Sequence, residues 1–153
     1  MTLDVYADLF EDDLDAVSLT LHEARGTSVA EAAITLADAV GHNNFRRAYR
    51  TLIQVADDLT TPDPADRFVL AIEPPAHVNP QWDAALAGIA EWRLSQARLP
   101  LPGWITSERG NPDWDWTPPL SPAAEAIPVK VENVPEPLRE RGVLIEADEL
   151  ASV

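Results

Sequence analysis

The sequence predicts a mainly helical protein: an acidic three-helix bundle over residues 1–60, then a Trp/Pro-rich C-terminal module over residues 67–153. That module is expected to hold one main helix and a small two-stranded element. Three observations predict this. Apolar residues recur every three or four positions through the first 60 residues, with capping sequences at the breaks. From residue 74 onward come 12 of the 14 prolines, which exclude long helices after Leu99. All five tryptophans (Trp82, Trp92, Trp104, Trp114 and Trp116) fall between Asn79 and Trp116.

Leu3, Tyr6, Phe10, Leu14, Val17 and Leu21 step along one face of a first helix from Leu3 to His22. Asp4, Asp8, Glu11, Asp12, Asp13 and Asp15 occupy its remainder, and no base occurs before Arg25, so none has an in-helix partner of opposite sign. A solvated face is the plain reading. The functional reading makes Asp8, Glu11, Asp12 and Asp15 a docking face for a basic protein. Gly26 closes this helix, and Ser28 to Glu31 (SVAE) opens a second with a capping-box sequence. Val29, Ala33, Leu36 and Val40 form its inner face, and Gly41 ends it. After His42 to Asn44, a third helix carries Phe45, Ala48, Tyr49, Leu52, Val55, Ala56 and Leu59 on one side.

Charge order on the third helix is reversed. Arg46 and Arg47 lie in its first turn and Asp57 and Asp58 near its end, each disfavoured by the helix dipole. Arg46, Arg47 and Arg50 therefore have two readings: pairing with acids of the first helix, or contact with DNA from a helix-turn-helix. The second helix is long for that motif, and the whole chain is strongly negative.

Thr60 to Asp66 (TTPDPAD) has the composition of a linker, and Arg67 to Ile72 is a short apolar run suited to a strand or a lead-in to a buried segment. Asn79 as cap and Pro80 in the first turn start the main helix, which runs to about Arg98. Trp82, Ala85, Leu86, Ile89 and Trp92 form its apolar stripe, with Asp83, Glu91 and Arg98 opposite. Trp104, Trp114 and Trp116 anchor the irregular stretch that follows, so the module's core is expected to be tryptophans packed on this helix. Ile127–Val131 and Gly142–Ile145 are expected to pair as two short strands, the first at an edge because of Pro128.

With 153 residues the chain can bury a core without staples, and the lack of cysteine excludes disulfides and thiolate chemistry. The formal charge is −15, from 26 acids and 11 bases. Residues 1–66 hold 13 acids against 4 bases, residues 67–153 hold 13 against 7. Such acidity repels phosphate backbones and suits a basic partner, so nucleic acid is not expected to bind the chain alone. The acidic N-terminus is unlike a signal peptide and no apolar run reaches 18 residues, so a soluble cytoplasmic protein is expected, with no membrane partner. His22, His42 and His77 have no second histidine at ligand spacing, and the acidic pairs Asp57-Asp58, Asp113-x-Asp115 and Asp148-Glu149 lack an EF-hand frame. Nucleophile elbows, phosphate loops and dinucleotide fingerprints are absent. No catalytic residue, metal or cofactor is therefore expected, and the chain is not expected to be an enzyme.

The order QWDAALAGIAEW, PGW, DWTPP and VPEPLRERGVLIEADEL resembles a C-terminal module of small actinobacterial antitoxin- and regulator-like proteins. Those typically read W-D-A-L-L-A-x-L-A-E, P-x-W, P-W-F-P and P-x-x-F-R-x-R-G-I-x-I. Here Leu138 replaces the phenylalanine and DWTPP replaces P-W-F-P. The resemblance covers residues 67–153 and supplies no catalytic residues. It implies a non-catalytic, protein-binding, antitoxin- or immunity-like partner that neutralises a basic toxin. The alternative it implies is a DNA-binding transcriptional regulator of its own operon, for which the residue reading above offers Arg46, Arg47 and Arg50 as the contact set.

Overall fold

The computed structural model describes residues 26–120 and 126–151. The predicted helix from Leu3 to His22, with Asp8, Glu11, Asp12 and Asp15, lies outside the described residues. The described chain is mainly helical.

Helix α1, Val29–Gly41, starts where Ser28 Oγ accepts the Glu31 N–H at 3.2 Å. Helix α2, Phe45–Asp58, starts on Asn44, whose side chain accepts the Arg47 N–H at 3.2 Å. Asn43 makes the turn between them at φ 54°, a conformation asparagine tolerates better than most residues. The two helices pack as an antiparallel hairpin that buries Ala32, Ala33, Leu36 and Ala39 on one side and Ala48, Leu52, Val55 and Ala56 on the other.

Helix α3, Pro64–Ile72, takes in the last three residues of the predicted Thr60–Asp66 linker and all of the Arg67–Ile72 run read as a strand or a lead-in to a buried segment, leaving residues 60–63 as the link. Asp63 Oδ1 accepts the Ala65 N–H at 2.9 Å and Pro64 takes the first turn, so a proline that resembles a breaker is a helix start. The main helix, α4, runs over Pro80–Gln96, with Asn79 Oδ1 accepting the Trp82 N–H at 3.0 Å. It does not present a single apolar stripe. Every residue from Ala84 to Ala90 is buried, together with Trp82 and Leu94, so α4 is a central helix enclosed on all sides. Its alanines and Gly88 permit this by letting neighbours approach. A Cβ on Gly88 would stand 2.6 Å from Leu138 Cδ2.

The remaining elements are short, as the prolines require: α5, Gly103–Ser107, then α6, Glu136–Arg139, and 3-10 turns at Val131–Asn133 and Ala147–Leu150. The predicted pairing of Ile127–Val131 with Gly142–Ile145 does not occur. Pro128 has no N–H to donate, and Val131 is already in a 3-10 turn. Instead the Gly142 carbonyl accepts the Trp116 N–H at 2.9 Å and the Trp116 carbonyl accepts the Leu144 N–H at 2.8 Å, an isolated parallel bridge rather than a strand pair. Gly142 makes this approach at φ 74°, where a Cβ would collide with the Asn111 carbonyl oxygen.

The core is aliphatic rather than built from tryptophans. Leu36, Leu52, Leu86, Ile89, Ile105, Leu138, Ile145 and Leu150 are fully buried in one cluster that draws on both sides of the residue 60–67 stretch. Of the tryptophans only Trp82 is buried, and the other four pack against the rim of the cluster. Trp82 joins the halves: it stacks on Phe45 of α2 with centroids 6.5 Å apart and meets Trp116 edge-on at 5.1 Å.

Candidate functional site

Arg46, Arg47 and Arg50 all lie on the exposed side of α2. Arg47 Nη1 reaches Asp38 Oδ2 of α1 at 2.7 Å, so one of the three is held by an acid on the neighbouring helix. Among the described residues Arg46 and Arg50 form no ion pair. A groove of about 260 Å³ runs beside Arg47 and Arg50, lined also by Thr27, Thr35, Gln54 and Asp58. Asp58 closes one end, accepting the Thr27 N–H at 3.2 Å and the Gln54 Nε2–H at 2.8 Å. Burial holds its carboxyl above the usual range; the hydrogen bonds from Gln54 and Thr27 oppose this and the neighbouring Asp57 adds to it.

The reversed charge order of α2 is resolved partly through tertiary contacts. At its C-terminal end, Arg93 Nε of α4 donates to the Ala56 carbonyl at 2.8 Å, bringing the positive charge that the helix itself lacks. The same guanidinium stacks over Trp92, 3.9 Å from the ring centroid. Burial lowers the Arg93 pKa first, Arg67 lowers it further, and Asp57 opposes both.

Arg141 is a residue that sequence reasoning did not single out. It is 5% exposed, the most deeply buried charged side chain among the described residues. Nε donates to the Glu108 carbonyl at 2.7 Å, Nη1 to Pro137 at 2.9 Å, and Nη2 both to Ile105 at 3.0 Å and to Glu91 Oε1 at 3.2 Å. This arginine is consumed by the fold. More generally, no buried side-chain nitrogen or oxygen among the described residues lacks a hydrogen-bond partner.

A second concavity, of about 360 Å³, is bordered by Tyr49, Leu120, Ile127, Val129, Leu144 and Glu149. Tyr49 is half-buried there. Its phenol is held well above its ordinary pKa, by burial first and then by the charge and hydrogen bond of Glu149, so it stays protonated at neutral pH.

Three side chains from separate elements meet near the start of α4: His77 from the preceding loop, Asp83 from the first turn and Glu108 from the end of α5. One ligand atom of each lies within 4.8 Å of the others. His77 Nδ1 is 3.1 Å from Asp83 Oδ2, while Asp83 Oδ1 accepts the Val78 N–H at 2.8 Å. The only sequence signal was His77 preceding Asp83 by six residues across a Pro-initiated helix start; Glu108 arrives through tertiary packing alone.

No helix among the described residues is long and apolar enough to cross a membrane. No known protein family, curated protein or solved structure matches this chain.

Proposed function

We propose that this chain is a non-catalytic, antitoxin- or immunity-like binding partner that neutralises a basic protein in the cytoplasm. The observation that carries the reading is the run of acids from Asp4 to Asp15 with no base before Arg25, within a chain of net charge −15. Like charges on one face repel, and a partner bringing lysine or arginine relieves that repulsion while accelerating encounter. Asp8, Glu11, Asp12 and Asp15 are the proposed contact set. The resemblance of residues 67–153 to antitoxin-like modules adds support of a different kind.

The test is co-expression with the product of each gene adjacent to this one, scoring relief of toxicity and a soluble complex. With the partner in hand, D8N/E11Q/D12N/D15N is expected to associate about tenfold or more slowly at low salt, with a smaller difference at high salt. Equal rates at every ionic strength exclude this face. Regulation of its own operon through Arg46, Arg47 and Arg50 is the second reading, favoured by the exposure of all three on α2 and by the groove beside Arg47 and Arg50.

A further inference from the structure

We propose that His77, Asp83 and Glu108 form a binding site for a divalent transition-metal ion of the zinc class, with three protein ligands and a further coordination position open to solvent. The inference stands apart from the proposed partner binding.

The geometry is close to what such an ion needs. Donors about 2.0–2.2 Å from a tetrahedral ion lie roughly 3.3–3.5 Å from one another. His77 Nδ1 and Asp83 Oδ2 are already 3.1 Å apart, and all three ligand atoms fall within 4.8 Å, a gap that side-chain rotation of Glu108 can close. One ligand is held from behind, and the backbone that carries another is fixed. The Val78 N–H fixes Asp83 through its other oxygen, as outer hydrogen bonds commonly orient metal-binding carboxylates. The Glu108 backbone is tied at both ends, its N–H donating to Trp104 O at 3.2 Å and its carbonyl accepting Arg141 Nε at 2.7 Å.

Charge points the same way. Two carboxylates converge here, yet no lysine or arginine forms an ion pair with either among the described residues; His77 is the partner of Asp83, and Glu108 has none. A divalent cation between them removes the repulsion. The imidazole selects its class, because calcium and magnesium favour all-oxygen shells whereas one nitrogen with two carboxylate oxygens suits zinc, cobalt or manganese. The His77 side chain is 88% exposed and that of Asp83 12%, so the ion enters from solvent and keeps an open face.

The experiment uses the full chain, stripped with EDTA and desalted, then titrated with zinc chloride by calorimetry and by thermal unfolding. One saturable equivalent and a raised Tm are expected, with magnesium chloride giving no shift. His77→Ala and Glu108→Gln are each expected to weaken zinc binding at least tenfold while the metal-free Tm stays unchanged, since neither side chain supports the core. Because an acidic surface binds zinc diffusely, D113N/D115N is the control and is expected to bind like the parent. Loss in only one of the two ligand variants overturns the three-ligand assignment. Diffuse binding alone, or a saturable site that both variants retain, overturns the site itself.

Discussion

Arg141 and Glu91 stand 50 residues apart in sequence, yet Arg141 Nη2 lies 3.2 Å from Glu91 Oε1 against the central helix. Around that pair the guanidinium also satisfies the carbonyls of Glu108, Ile105 and Pro137, so a single side chain joins α4, α5 and the chain flanking α6.

Arg141→Met leaves a partly buried Glu91 charge and three carbonyls without their donor. The expected loss is about 3–5 kcal/mol, the usual cost of removing one member of a buried pair. Arg141→Lys recovers only part of it, because an ammonium cannot span the planar fork. Urea unfolding measures both, and a loss below about 1 kcal/mol for the methionine variant would show that water replaces the arginine without penalty.

Leu86 lies in the enclosed stretch of α4 and is fully buried. Truncating it to alanine is expected to cost roughly 2–5 kcal/mol. A change below about 0.5 kcal/mol would be that of a surface position and would contradict the enclosure of α4.

Asp58 gives a pH signature of known sign. Its carboxyl titrates above its ordinary value in the folded chain, so the folded state binds more protons than the unfolded state between the two values. Stability contributed by this group therefore falls as pH rises through that interval, and the penalty is complete above it. Asp58→Asn can still accept the Thr27 N–H and can donate to Gln54 once that amide turns over. The variant is expected to melt higher than the parent at pH 7, with the difference shrinking as pH falls below the Asp58 titration. A difference that does not change with pH would assign the effect to packing.

No duplex DNA binding is expected for the chain alone at physiological salt, since its −15 charge opposes the phosphates. A nanomolar operator complex, abolished in R46A/R47A/R50A, would instead favour the regulator reading. The measurement is a salt-dependent gel-shift or anisotropy titration.

Local signals made α1, α2 and α4 legible: Ser28 and Asn79 cap their helices as their sequence context predicts, and Asn44, read as part of a link, caps α2. Helix α3 was hidden because Asp63-Pro64 reads both as turn chemistry and as a cap followed by a first-turn proline, and only tertiary packing decides between them. The all-round burial of α4 over Ala84–Ala90 was hidden because Ala84, Ala87 and Ala90 carry little apolar weight off the main stripe. They are nevertheless what lets neighbours close in. Sites were less legible still. Arg141 meets partners 33, 36 and 50 residues away, and Glu108 joins His77 and Asp83 through the placement of α5, so no spacing pattern announces either arrangement.

The 3-10 turn Ala147–Leu150 packs against α2, with Leu150 fully buried, and this has a consequence for synthesis. Helix α2 ends at Asp58, so the apolar face that Leu150 covers emerges about ninety residues ahead of its cover. At roughly 5–20 residues per second, translation leaves that face open for about 5–20 s, far longer than a helical hairpin takes to form. During that interval the nascent chain shows sticky surface to chaperones and to its neighbours on the polysome.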